Sequence, residues 1–175
     1  CLKTYIELHC LKVILLNLLF FSCRTFAAKL DVLKLSERLD SLAELGHYLQ
    51  SGPDEALNRV IRQSAVENPW FTESNIHAAI GAIASAFLNR DKLLNWVEAY
   101  AVTNYQHPTK TVALVMAGNI PLVGFHDWLC VYVAGQRAQV KLSEKDKHLL
   151  PFLVGKLGEW AFETWEYTEF LTETD

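Results

Sequence analysis

The stretch TVALVMAGNIPLVGFHDWLCVYVAGQRAQVKL, residues 111–142, decides the fold. It opens on a short continuous apolar run, 111–117, with β-branched residues, the pattern of a strand buried on both faces. Gly118-Asn119-Ile120-Pro121 breaks that run. Pro121 suits the first turn of a helix, where a missing N–H costs nothing. Leu122, Phe125, Leu129 and Val133 then recur at helical spacing, in a helix apolar almost all round and therefore buried, and Gly135 ends it. A second strand follows at 138–142. Ser143 is placed to cap another helix, with Glu144 and Asp146 in its first turn, running to about Leu157. Strand, turn, buried helix, strand, helix is a βαβα unit, the start of a parallel sheet. A third strand is predicted near Tyr167–Leu171.

The residues upstream carry a different period. Leu35, Leu39, Leu42, Leu45 and Leu49 recur at three- and four-residue steps, with Ser36 as a cap and Gly52-Pro53 as a stop. A second helix is predicted over 54–67, with Leu57, Val60, Ile61 and Ala65 on one face and Asn68-Pro69 ending it. Thr72 caps a third, striped by Ile76, Ile80, Ile83 and Phe87. A fourth spans 91–101, starts at Asp91 and buries Leu94 and Val97 with Trp96 or Tyr100. The polar stretch 104–110 reads as a linker. The expected class is α/β: a helical N-terminal layer, then the start of a Rossmann-like doubly wound parallel sheet. The expected division is a leader at 1–30, a helical region at 31–103 and an incomplete βαβα region at 104–175.

The leader differs in composition. Lys3, Lys12, Arg24 and Lys29 against Glu7 leave it at +3, so the rest of the chain, whose total is −4, carries −7. It also holds Cys1, Cys10 and Cys23, three of the four cysteines. The run VILLNLLFF, 13–21, after Lys12 and before small residues, has the layout of a secretory signal and is too short for a comfortable membrane span. A signal, a read-through leader and an ordinary buried helix all stay open. The chain starts on Cys1 with Met116 as its only methionine, so a fragment is expected.

Composition excludes several classes. At 51% hydrophobic and 21% charged the 175-residue chain is globular. A pI near 5.9 argues against a nucleic-acid partner, and the helices at 54–67 and 73–89 offer few cations for phosphates. The cysteines show no C-x-x-C spacing and the six histidines no metal spacing, so no metal site is expected and a reducing, cytoplasmic location is. G-x-G-x-x-G and G-x-x-x-x-G-K-[ST] are both missing.

Ligands of open α/β sheets bind beyond the carboxyl ends of the strands. Asn119 falls there, where backbone N–H groups attract an anion and a side-chain amide can donate to a developing oxyanion. The bland reading is that Gly118 and Asn119 supply turn dihedrals. Lys141, Ser143 and Glu144 end the second strand, where they grip ribose or phosphate or else form a solvated strand end and cap. His126 and Asp127 are adjacent on a helix and do not face each other. Cys130 sits in the same apolar helix, where a buried thiol is inert.

The segment VALVMAGNIPLVGFHDWLCVYVAGQRAQVKLSEKD, 112–146, closely resembles the acyl-CoA reductase family, relatives of the fatty acid reductase of bacterial luminescence within the aldehyde dehydrogenase superfamily. The G-N-[IV]-P-L-V turn at 118–123 carries the likeness, and LAELGHYLQ, ENPWFTE and LLNWV resemble the family's N-terminal region. The likeness covers about 34–170. It implies a partial aldehyde dehydrogenase-like fold, in an enzyme that reduces an acyl-CoA or acyl thioester to aldehyde with NADPH through a cysteine thioester, and leaves open whether the full-length protein is an oligomer. It implies that Asn119 stabilises the oxyanion, that Gly118 and Pro121 shape the cofactor turn, and that Lys141, Ser143 and Glu144 hold the adenosine ribose. None of the four cysteines matches the family's nucleophile, which lies beyond the matched region, so this chain alone is expected to be inactive. The alternatives are an NAD-dependent aldehyde dehydrogenase and a non-enzymatic helical interaction module.

Overall fold

Leucines at three- and four-residue spacing put one apolar stripe on the first helix of the computed structural model, which describes residues 33–102 and 110–171. All of these belong to one compact unit, Leu33–Asp175. The leader and most of the 104–110 linker lie outside the described residues.

Helix α1, Leu35–Gln50, buries Leu39, Leu42, Leu45 and Leu49. Its N-cap is Lys34 rather than Ser36, and the Lys34 N–H donates to Glu37 Oε2 at 2.7 Å. Gly46 lets α1 approach its neighbour closely, since a Cβ there would lie 2.6 Å from the Leu88 carbonyl oxygen. Helix α2, Glu55–Glu67, is capped by Asp54, whose carboxylate accepts from the Leu57 N–H at 2.8 Å. Helix α3, Glu73–Phe87, is capped by Thr72 as expected, and Ile76, Ile80 and Ile83 are buried while Phe87 lies at the margin. Helix α4, Arg90–Ala99, starts one residue early because Asn89, not Asp91, accepts from the Lys92 N–H at 3.1 Å. It buries Leu93 and Val97, and Tyr100 stands exposed.

Strands β1, Thr111–Val115, β2, Arg137–Lys141, and β3, Thr168–Phe170, form a parallel sheet in the order β1-β2-β3. Helix α5, Phe125–Val133, joins β1 to β2; α6, Leu149–Trp160, and the short α7, Thr164–Tyr167, join β2 to β3. An α/β chain with a helical layer and a small parallel sheet is therefore observed.

Three expectations are corrected. β1 is not buried on both faces: Thr111, Ala113 and Val115 are exposed, Val115 to 84%. Among the described residues β1 pairs with β2 alone, and helices cover one face of the sheet. In register with those residues stand Arg137, Gln139, Lys141 and Glu169, so the open face is polar along β2 and β3. The buried helix starts at Phe125 rather than Pro121, because Leu122 takes a left-handed φ of +58° that no helix can include. The next helix starts at Leu149 rather than Ser143, because Ser143–Asp146 closes a turn of its own.

The core runs from the leucine stripe of α1 through α5 to the covered face of the sheet. Trp128 is fully buried, stacks on Tyr132 at 5.2 Å and donates from Nε1 to Thr168 Oγ1 at 2.9 Å. The Tyr132 hydroxyl meets Thr164 Oγ1 at 3.0 Å and Ser41 Oγ at 3.3 Å. Beside them Arg38, buried, donates to the carbonyls of Leu33 and Val133 and lies 5.9 Å from the Tyr167 ring centre. Its cation sits at the carboxyl end of α5, where the helix dipole is negative. Burial pulls its pKa below the ordinary arginine value.

Candidate functional site

A parallel sheet brings the carboxyl ends of its strands to one edge. Here Val115 pairs with Lys141, and the Met116 N–H donates to the Lys141 carbonyl at 2.9 Å. The 117–124 turn leaving β1 and the 142–148 loop leaving β2 therefore emerge side by side. They touch at Gly118: a Cβ there would lie 2.2 Å from Ser143 Oγ and 2.8 Å from the Cβ atoms of Ser143 and Lys145.

The predicted residues thus gather at one edge but divide by accessibility. Asn119, Lys141 and Glu144 are exposed, and Ser143 is half-buried. Gly118 and Pro121 are buried and act through the shape of the turn. The missing side chain at Gly118 makes room for Ser143 rather than for a ligand. Gly118→Ala is expected to force the two loops apart and cost about 1–3 kcal/mol, the range for overpacking a tight site. Urea unfolding followed by circular dichroism measures it, and a loss below about 0.5 kcal/mol would show that the loops yield freely.

Sequence reading missed the residues that hold this edge together. Asn68, buried at the end of α2, donates from its amide to the Lys145 carbonyl at 3.1 Å and reaches the Gly118 carbonyl at 3.5 Å. Its Oδ1 accepts from the Trp70 N–H at 3.0 Å. One side chain ties both loops to the helical layer. Next to it Glu67 meets the His148 ring at 2.8 Å, Gln63 at 3.0 Å and Lys147 at 3.3 Å. The Gln63 amide and His148 hold the Glu67 carboxyl down to about 2. Within the loop, the Lys145 N–H donates to Ser143 Oγ at 3.2 Å and the Asp146 N–H to the Ser143 carbonyl at 3.0 Å. Ser143 so caps a turn, not a helix. In sequence Asn68-Pro69 read only as a helix stop, and nothing local links it to Gly118, fifty positions on.

The other candidates fall elsewhere. His126 lies on α5 with its ring 5.1 Å from Phe87 and 6.2 Å from Trp96, and 3.8 Å from Cys130 Sγ. Burial and Asp127 push the Cys130 thiol up, away from the thiolate a nucleophile needs. A groove of about 230 Å³ runs past Phe87, Lys92, Leu93, Trp96 and His126, and none of the predicted site residues lines it.

The accessible set is an amide, an ammonium, a hydroxyl and a carboxylate on one open edge. An amide and an ammonium suit an anionic or hydroxyl-rich ligand, and a carboxylate suits ribose hydroxyls. Among the described residues no helix is long and apolar enough to cross a membrane. No protein-family model, curated protein or solved structure matches the chain.

Proposed function

We propose that this chain is the N-terminal part of an acyl-CoA reductase that reduces a fatty acyl-CoA or acyl thioester to aldehyde with NADPH, on a doubly wound, aldehyde dehydrogenase-like sheet of which β1–β3 are the first strands. One observation carries most weight. The GNIPLV turn that bears the resemblance packs through Gly118 on Ser143, so Asn119 and Lys141–Glu144 share one carboxyl edge of a parallel sheet.

In this reading Lys141 and Glu144 hold the adenosine ribose, with Ser143 beside them. Gly118 and Pro121 set the turn. The Asn119 amide donates to the oxygen that gains charge when the acyl carbonyl is attacked. NADPH, when bound, supplies the hydride. The attacking cysteine belongs to a catalytic region outside these residues, in keeping with the raised thiol of Cys130.

Titration of the chain with NADPH and NADH, followed by calorimetry, is the first test. Binding of NADPH that weakens about tenfold in Lys141→Ala, the worth of one charge-assisted contact, supports the reading. A folded chain that binds neither nucleotide would leave the non-enzymatic module in its place. Preference for NADH, with aldehyde oxidation by NAD+ once the catalytic region is supplied, would move the reading to the dehydrogenase.

A further inference from the structure

Leu122 holds a left-handed φ of +58°, a conformation costly for a side chain branched like leucine. Its N–H is donated to Asp146 Oδ2 at 2.7 Å, across the gap between the 117–124 turn and the 142–148 loop. Asp146 is only 8% exposed, and its other oxygen, Oδ1, is buried with no partner among the described residues. A neutral amide would accept the same N–H without burying a charge. An ionised carboxylate with one oxygen unsatisfied stores strain at this joint.

We propose that Asp146 is a proton-operated clasp between these two loops, holding them together when protonated and drawing them apart toward water when ionised. The ionisable groups near it are few. His148 lies on its own loop, tied to Glu67 of α2. Glu144, Lys145 and Lys147 are exposed on the same loop, and Lys147 also pairs with Glu67. The facing turn, 117–124, contributes no ionisable side chain.

The sign follows from burial. Desolvation pushes the Asp146 carboxyl up to about 6 from an ordinary 3.8, against the pull of the Leu122 N–H and of His148. The closed joint therefore binds a proton more tightly than an opened, hydrated one. Acid favours the closed form, and the advantage is lost as pH rises through about 6. The clasp stands on the buried, half-paired carboxylate and its bond to Leu122, and the raised pKa sets its direction. Its effect on access to Asn119 and Lys141 rests on the cofactor reading.

Hydrogen–deuterium exchange of peptides covering 117–125 and 142–148, corrected for intrinsic rates, tests it from pH 5 to pH 8. The natural chain is expected to open about tenfold more at pH 8 than at pH 5 in these peptides, as linkage requires for such a shift. Asp146→Asn keeps an acceptor without the charge, and should exchange slowly with a flat pH profile. Asp146→Ala should exchange fast at every pH, since the Leu122 N–H loses its partner. His148→Gln should keep the pH dependence. A flat profile in the natural chain, a slope that survives in Asp146→Asn, or a slope lost in His148→Gln overturns the clasp. Should Asp146→Ala not fold, the natural chain, Asp146→Asn and His148→Gln still decide. Nucleotide affinity is not read here, so failure of the cofactor reading leaves the result intact.

Discussion

Trp128→Ala is expected to cost about 4 kcal/mol, within the range for truncating a buried aromatic, and to leave the chain close to unfolding at ambient temperature. Three terms add. The indole is fully buried, so its apolar area returns to water or leaves a cavity. It stacks on Tyr132 at 5.2 Å and leans on Phe125 at 5.6 Å, so two further rings lose a wall. Its N–H is the partner of Thr168 Oγ1, itself buried at the start of β3. Trp128→Phe separates these terms: it keeps most of the packing and loses the hydrogen bond, and should cost about 1–2 kcal/mol. Urea unfolding followed by far-ultraviolet circular dichroism compares the two. A loss under 1 kcal/mol for the alanine variant would mean that the core collapses around the gap.

Arg38→Ala is expected to cost about 3 kcal/mol, because it leaves buried carbonyls without donors and removes a long side chain from the interior. The guanidinium bridges the Leu33 and Val133 carbonyls and faces Tyr167, so α1, α5 and α7 all lean on it. Arg38→Lys should recover little, since one ammonium cannot reproduce the planar fork that reaches both carbonyls. Arg38→Met should recover more, because it fills the space without burying a charge. A lysine variant as stable as the natural chain would show that charge, not geometry, is what Arg38 supplies.

The helical layer was legible because its stripes are local. Leu39, Leu42, Leu45 and Leu49 lie where period and burial must agree, and Thr72 caps α3 by a rule that needs only three residues. The parallel order of β1 and β2 followed from the helix between them. What failed depended on distance. VALVMA looks the same whether a strand is covered on two faces or one, and Val115 shows that here it is one. Ser143-Glu144-Lys145-Asp146 has the look of a helix start. The structure draws Asp146 away to the Leu122 N–H, twenty-four positions upstream, and α6 begins only at Leu149. Of the candidate site, the turn and the strand end were visible as local breaks. Asn68 and Asp146, which fix them, were not, since their partners are carbonyl and N–H groups common to every residue.

The half-wetted sheet sets different rules for neighbouring positions of one strand. Along β2, Ala138 and Val140 face the core and are buried, while Arg137 and Lys141 face water. A mutational scan of the five residues of β2 should therefore alternate. Abundance should fall with almost any polar change at Ala138 or Val140, and stay level through most changes at Arg137. Lys141 becomes informative in that setting: it is as free as Arg137 on grounds of folding, so a change there that leaves abundance level but weakens nucleotide binding would speak for the proposed contact and not for stability.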